Sequence, residues 1–145
     1  MEIKNRSVFH EYYIEQKLVA GLVLSGTEVK SLRAGKASFN DAYCFFHNGE
    51  LYIKSLHISE YKLGTIYNHQ PTQERKLLLT KKELAKWEGK TKEKGYTIVP
   101  IRIFFSEEGW AKIEIGLAKG KQVHDKRQTI KERDTKRELQ RYIKR

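Results

Sequence analysis

Beyond Ala118 the chain has little left with which to build a core. Residues 8–118 hold nearly all of the apolar clusters, whereas residues 119–145 offer only Val123, Ile130, Leu139, Tyr142 and Ile143 as sizeable apolar side chains. That last stretch carries eleven Lys or Arg against four Asp or Glu, so it contributes +7 of a formal net charge of +11. Few apolar groups and much charge cannot offset the entropy lost when a chain is ordered. The expectation is one folded body over residues 1–121 and a basic C-terminal tail over residues 122–145 that is flexible when free. Residues 128–145 lack Gly and Pro and are rich in helix formers, so a helix induced on a polyanionic surface is within their reach.

The body patterns mostly as strands. Asn48-Gly49 lies between two strand-like runs, residues 42–46 and 51–58, and both turn residues tolerate positive φ, the signature of a tight hairpin. Residues 18–24 and 76–79 are short apolar runs, and residues 96–105 are β-branched and aromatic. Residues 110–117 alternate, with Ile113, Ile115 and Leu117 on one face and Lys112 and Glu114 on the other. Thr80 and Glu83 form a capping-box pair that predicts a helix to about residue 94, stopped at Gly95. Thr27 is positioned to cap a short helix through Leu32, and residues 10–17 could add another turn or two. About six strands with two or three short helices, in a chain of 145 residues, suit a mainly β fold: an antiparallel, closed or partly closed barrel.

Several function classes fall away on composition. A lone cysteine, Cys44, cannot form an intramolecular disulfide, which fits a reducing cytosol. Residues 1–15 are charged and lack the apolar centre of a signal peptide, and the longest apolar stretch, residues 18–24, is far too short to span a bilayer. His10, His47, His57, His69 and His124 show no metal-ligand spacing among themselves or with Cys44. Residues 116–121, GLAKGK, are one residue short between the glycines and lack the Ser or Thr of a phosphate-binding loop. Glu28 and Lys30 have no nucleophile beside them and read as a charged helix face. No catalytic residue, metal or cofactor is expected.

The charge needs a partner, and a polyanion is the usual one. Basic residues cluster at 30–36, 75–76 and 119–127, among fourteen Phe and Tyr and two Trp residues. Cations neutralise phosphates, and exposed aromatics stack on unpaired bases. Lys112 projects from the polar side of its strand. His124-Asp125-Lys126-Arg127 sits at the junction of body and tail, where an imidazole among cations suits stacking and phosphate contact. A general single-strand-binding barrel and an RNA-processing enzyme are the rival readings; the enzyme would need a metal site or an acid–base pair.

Four motifs then carry a resemblance. Gly26-Thr27-Glu28-Val29-Lys30-Ser31-Leu32-Arg33-Ala34-Gly35-Lys36, Arg75-Lys76-Leu77-Leu78-Leu79, Leu117-Ala118-Lys119-Gly120-Lys121 and His124-Asp125-Lys126-Arg127 with Ile130-Lys131-Glu132-Arg133 resemble, in this order, the small protein B family. The resemblance runs from about Asn5 to the last residues. It implies an oligonucleotide-binding-type barrel that binds the tRNA-like domain of transfer-messenger RNA. It also implies a cytoplasmic adaptor, monomeric when free, that brings this RNA to stalled ribosomes for trans-translation, in which the nascent chain is tagged for degradation. Leu78 and Lys112 match family positions tied to RNA binding, and Glu28, Lys30, Arg33, Lys36, Arg75, Lys76, Lys119 and Lys121 lie in motifs on or near that surface. His124, Asp125, Lys126 and Arg127 match the segment expected at small-subunit RNA in the decoding centre. Ile143 sits where the family has an apolar group near the end of a tail that becomes helical in the vacant message channel. One departure is Val19, where many relatives have a Glu that supports RNA binding, and Val19 is left outside the expected site.

Overall fold

The structure is a computed structural model that describes residues 1–64 and 66–121. The expected tail residues His124, Asp125, Lys126, Arg127 and Ile143 lie outside the described residues. In chain order the elements are β1 (Glu2–Lys4), α1 (Val8–Glu11), β2 (Tyr12–Leu22), α2 (Gly26–Arg33), β3 (Ala37–Ser38), β4 (Tyr43–His47), β5 (Glu50–Lys54), β6 (His57–Ile58), β7 (Arg75–Leu78), α3 (Lys81–Thr91), β8 (Tyr96–Phe105) and β9 (Ala111–Gly120). The main sheet runs β1-β8-β4-β5-β7-β2-β9, and β8 also pairs with β9. That last pairing closes β8, β4, β5, β7, β2 and β9 into a ring of six antiparallel strands, the mainly β barrel expected from the pattern. Closure leaves the six strands of the ring without a free edge. β1 pairs with Arg102–Phe104 of β8, on the edge opposite β9, and β3 and β6 form a separate short pair.

The hairpin at Asn48-Gly49 forms as its residues dictate. Both have positive φ, +53° and +79°, and the twist of such a turn matches that of β4 and β5. Alternation holds in β9, where Ile113, Ile115 and Leu117 are wholly buried. They meet Ile53, Leu77, Ile98 and Ile103 inside the ring, while Leu32 of α2 and Leu84 and Trp87 of α3 complete the same core.

Two bulges let the longest strands serve two layers. The β2–β9 register slips between Ile14 and Gln16, and the β8–β9 register slips between Pro100 and Arg102. One extra residue turns each following side chain to the other face of the sheet. Ile14 therefore joins Tyr12 in packing against an outer cluster of Val8, Val99 and Ala118, whereas Ala20 and Leu22 face the ring interior. Gly116 is required where these layers meet, because a Cβ there would stand 2.9 Å from Ile14 Cγ2. The bulge also accommodates Pro100, which has no N–H for a ladder. Its carbonyl accepts a hydrogen bond from Asn5 Nδ2 at 2.9 Å.

Three local expectations change. Helix over residues 10–17 gives way to strand from Tyr12 onward, because this stretch alternates half-buried and exposed and is paired along β9. α2 is capped by Ser25, not Thr27: Ser25 Oγ accepts from Glu28 N, and Ser25 N donates to Glu28 Oε1 at 2.8 Å. The Thr27 hydroxyl instead bonds His69 Nδ1 at 2.9 Å. α3 has the Thr80–Glu83 capping box but ends at Thr91, short of residue 94.

Glu28 and Arg75 form an ion pair inside the protein, 2.6 Å apart, with side-chain exposures of 2% and 1%. Arg75 also donates to the carbonyls of Leu56, Gln70 and Pro71, and Gln73 Nε2 donates to Glu28 Oε2. The pair ties α2 to β7 and to the segment that enters β7. Stripping one partner from a buried pair strands the other charge and costs about 3–5 kcal/mol. Urea unfolding should show a loss of that size for Glu28→Ala and for Arg75→Ala, and much of it should return when both positions carry Met. A single-site loss below about 1 kcal/mol would remove the pair from this structural role.

Burial raises the Cys44 thiol well above its ordinary pKa, so the reactive thiolate is suppressed at neutral pH. A thiol reagent at pH 8 should leave the native protein unmodified for as long as it stays folded and label it promptly in denaturant. Fast labelling of the native state would contradict this placement.

Candidate nucleic-acid interface

The outward faces of β7, β2 and β9 form one surface. Gly21 pairs with Leu78 on one side and with Lys112 on the other, and Lys112 pairs in turn with Phe104. Leu78 is 55% exposed, and Val19, two residues along β2 from Gly21, is 50% exposed. Gly21 keeps the middle of this row low. A Cβ there would lie 3.3 Å from Leu78 Cβ, and the Leu78 side chain leans over the glycine instead. A glycine inside a strand often marks such a close approach of a neighbour or ligand. On β7 the same face carries Lys76, paired in register with Tyr52, and Tyr52 stacks on Phe45 at 5.9 Å.

Charge on this surface is unevenly committed. Arg102 lies 2.9 Å from Glu114 and 3.1 Å from Glu2, and its guanidinium covers the Phe104 ring at 4.1 Å. Hydrogen bonding to Glu114 is the largest cause of its raised pKa, with desolvation opposing. Lys76 has a longer, exposed pairing with Glu50 at 3.7 Å. Lys112 makes no salt bridge among the described residues, so its ammonium is open to a phosphate.

The expected site residues separate into four groups. Lys76, Leu78 and Lys112 share the surface just described. Lys30, Arg33 and Lys36 are exposed on and just after α2. Arg33 lies 4.3 Å over the Phe105 ring and donates a long hydrogen bond, 3.5 Å, to the Gly109 carbonyl, which fastens α2 to the β8–β9 turn. Lys30 lies over Tyr61. Lys119 and Lys121 sit toward the other end of β9, covering Tyr96 and Tyr13. At ~3.3 Å per residue they are on the order of 25 Å from Lys112, so one small contact cannot include them. Glu28 and Arg75 are inside the protein, each spent on the other, and geometry removes them from direct RNA contact.

Val19, Gly21, Tyr52 and Trp110 were not among the expected residues, yet all lie on or beside the outward face. Strand parity could have found them, since Val19, Gly21 and Lys112 share a face once the register is known. The bulge at Gln16 hides that register from a reading by period alone.

A closed antiparallel barrel whose outer face sets an unpaired lysine among exposed apolar and aromatic groups is the make-up of an RNA-binding barrel protein. The family comparison is narrower. A family model described as SmpB protein matches residues 2–145. An SsrA-binding protein of Phocaeicola vulgatus is 50% identical over 145 residues, spanning 100% of this chain and 97% of its own. One from Cytophaga hutchinsonii is 52% identical over 141 residues, spanning 97% and 92%. A solved chain described under "tmRNA-SmpB: a journey to the center of the bacterial ribosome" superimposes with a TM-score of 0.70 at 48% identity, covering 83% of this chain and 84% of that one. The chain belongs to the SmpB family.

Lys112→Ala should flatten the salt dependence of RNA binding by about one unit of log K against log salt. Stability should stay within about 0.5 kcal/mol, as for most surface substitutions. Arg102→Ala should change the slope less, because two carboxylates already neutralise that charge. Equal slopes for Lys112→Ala and the parent would take Lys112 out of phosphate contact.

Proposed function

We propose that this protein is a non-catalytic RNA-binding adaptor. It binds the tRNA-like domain of transfer-messenger RNA and brings it to stalled ribosomes for trans-translation. Family membership carries this reading, since the named relatives are SsrA-binding proteins and the solved relative belongs to a tmRNA–SmpB assembly on the bacterial ribosome. The outward face supplies a matching chemistry. Folded tRNA-like RNA presents shape, phosphates and a few unstacked bases, which a rigid surface of Leu78, Lys112 and neighbouring aromatics is suited to hold. Lys30, Arg33 and Lys36 extend the cationic surface beyond the β8–β9 turn. Its place of action in this reading is the cytoplasm, where ribosomes translate; among the described residues no helix is long and apolar enough to cross a membrane.

Residues 1–121 are assigned to this RNA in the proposal, and residues 122–145 to the ribosome. The second assignment rests on charge and on His124, Asp125, Lys126, Arg127 and Ile143 matching the family's decoding-centre segment. An empty message channel is an anionic groove, and a strongly basic segment gains most there when no message competes. Lys119 and Lys121, at the far end of β9 from Lys112, lie where the two parts join.

Competition at physiological salt tests the first assignment. The tRNA-like domain should displace elongator tRNA and a duplex of equal length with a preference of roughly a thousandfold, the low end for specific over non-specific nucleic-acid binding. Equal, steeply salt-dependent affinities would leave only a general RNA binder. For the second, a chain ending at Gln122 should keep most of its affinity for the RNA and lose tagging of stalled chains. Undiminished tagging would refute the tail's role.

A further inference from the structure

The chain's two tryptophans stand in opposite settings. Trp87 is 2% exposed in the core, and Trp110 is 68% exposed beside the outward face. An indole left in water forgoes a large apolar burial, and tryptophan is also the best aromatic acceptor for stacking and for cations. Six other aromatic rings carry a cation of this chain: Phe9 under Lys17, Tyr61 under Lys30, Phe105 under Arg33, Phe104 under Arg102, Tyr96 under Lys90 and Lys119, and Tyr13 under Lys121. Among the described residues Trp110 has neither a cation nor a ring on its face.

The exposed ring is nonetheless held on firm backbone. Ser106 N donates to the Trp110 carbonyl at 2.9 Å, and Trp110 N donates to Ser106 Oγ at 3.1 Å, continuing the β8–β9 ladder by one pair. Gly109 takes φ +92° to close the turn and donates to the Ser106 carbonyl at 2.9 Å. Arg33 braces the turn from α2 through Phe105 and the Gly109 carbonyl. Side chains two apart on a strand share a face about 6.6 Å apart, so Trp110 flanks Lys112 at roughly the repeat of one nucleotide.

We infer that Trp110 is the base-stacking residue of this surface: an unpaired nucleobase of the bound RNA lies on its indole while Lys112 holds an adjacent phosphate. Arg33, Phe105 and Gly109 act through the turn and position the ring without touching the base. The inference rests on the RNA-binding reading above and names a contact which that reading leaves open. A protein partner would need a broad apolar patch; here the indole lies two residues from Lys112 on a chain of net charge +11, which favours a polyanion with aromatic rings.

The experiment titrates the tRNA-like domain of transfer-messenger RNA into the full-length protein at physiological salt and follows tryptophan emission and its access to acrylamide. Trp87 is shielded, so the accessible signal is that of Trp110. Expected are quenched emission and loss of acrylamide access on binding. Affinity should fall roughly 5- to 150-fold for Trp110→Ala, the range for losing one base stack, and stay within about threefold for Trp110→Phe. Trp110→Leu should resemble Trp110→Ala; if it instead binds like the parent, apolar contact is enough and stacking is refuted. Circular dichroism melts should be unchanged, as the ring is exposed. If Trp110→Ala binds normally while Lys112→Ala is weakened, the stacking inference fails and RNA recognition by the face stands. If Trp110→Ala binds the RNA normally but tagging falls, the indole contacts the ribosome, which also overturns the inference. If the parent protein shows no preference for this RNA, the underlying reading fails with it.

Discussion

Glu28 and Arg75 lie 47 positions apart in the chain and 2.6 Å apart in space. Most of what positions the outward face runs through that contact. Glu28 accepts from the Ser25 backbone and so starts α2, while Arg75 gathers the carbonyls of Leu56, Gln70 and Pro71 and so starts β7. β7 then carries Leu78 outward, and α2 carries Arg33 to the β8–β9 turn. Two charges are costly to bury and offset that cost only when geometry and hydrogen bonds are nearly complete. Here each carboxylate oxygen and most guanidinium donors are engaged, so the pair suits few other arrangements of these segments. Both side chains are buried, so the pair acts on the fold by placing groups that remain exposed.

Closure of the ring is the second constraint. A six-stranded barrel has a small interior, filled by β-branched and leucine side chains, so functional groups must stand on its outside. The bulges at Gln16 and near Pro100 settle which residues those are. Before the first, even-numbered residues of β2 serve the outer layer with α1; after it, even-numbered residues face the interior and Val19 and Gly21 turn outward. A single register slip thus assigns the face that Lys112 shares.

This explains what could be read from the residues and what could not. The Asn48-Gly49 hairpin, the alternation of β9 and the Thr80–Glu83 cap are local, each decided within about ten residues, and all three are present in the fold. The strand over residues 12–17 is not legible from pattern because Tyr12-Tyr13 and the polar run Glu15-Gln16-Lys17 break its apolar alternation, although burial alternates along the whole strand. Ser25 and Thr27 both suit a cap by residue type, and Ser25 takes the role because Glu28 stands three residues on, while the Thr27 hydroxyl is engaged by His69. The fate of Glu28 and Arg75 was not legible at all. Nothing local distinguishes a buried pair from two members of a basic surface motif, since their burial depends on strands distant in sequence. The grouping of Lys76, Leu78 and Lys112 likewise follows from register, which the motif order does not contain.

The treatment of charge separates two kinds of surface. Six rings, Phe9, Tyr13, Tyr61, Tyr96, Phe104 and Phe105, are covered by a lysine or arginine of the same chain, and Arg102 is neutralised by Glu2 and Glu114. Such pairing lets a protein of net charge +11 keep its cations near its own surface instead of presenting all of them to any polyanion. Around Lys112 an uncommitted charge meets exposed apolar surface: its ammonium has no carboxylate partner among the described residues, Leu78 and Val19 are half-exposed, and the Trp110 ring carries no cation among the described residues. Specific recognition of folded RNA needs groups that are free before binding and fixed in place, because ordering them on contact would oppose affinity. Sheet backbone, the braced turn and the covered glycine meet that requirement on this face. The cations at the far end of β9 lie across their own aromatic rings and must leave them to bind elsewhere. Charge alone does not single this face out, since Lys4, Lys36 and Lys54 also make no salt bridge among the described residues; what distinguishes it is a lysine beside exposed apolar and aromatic groups on fixed backbone.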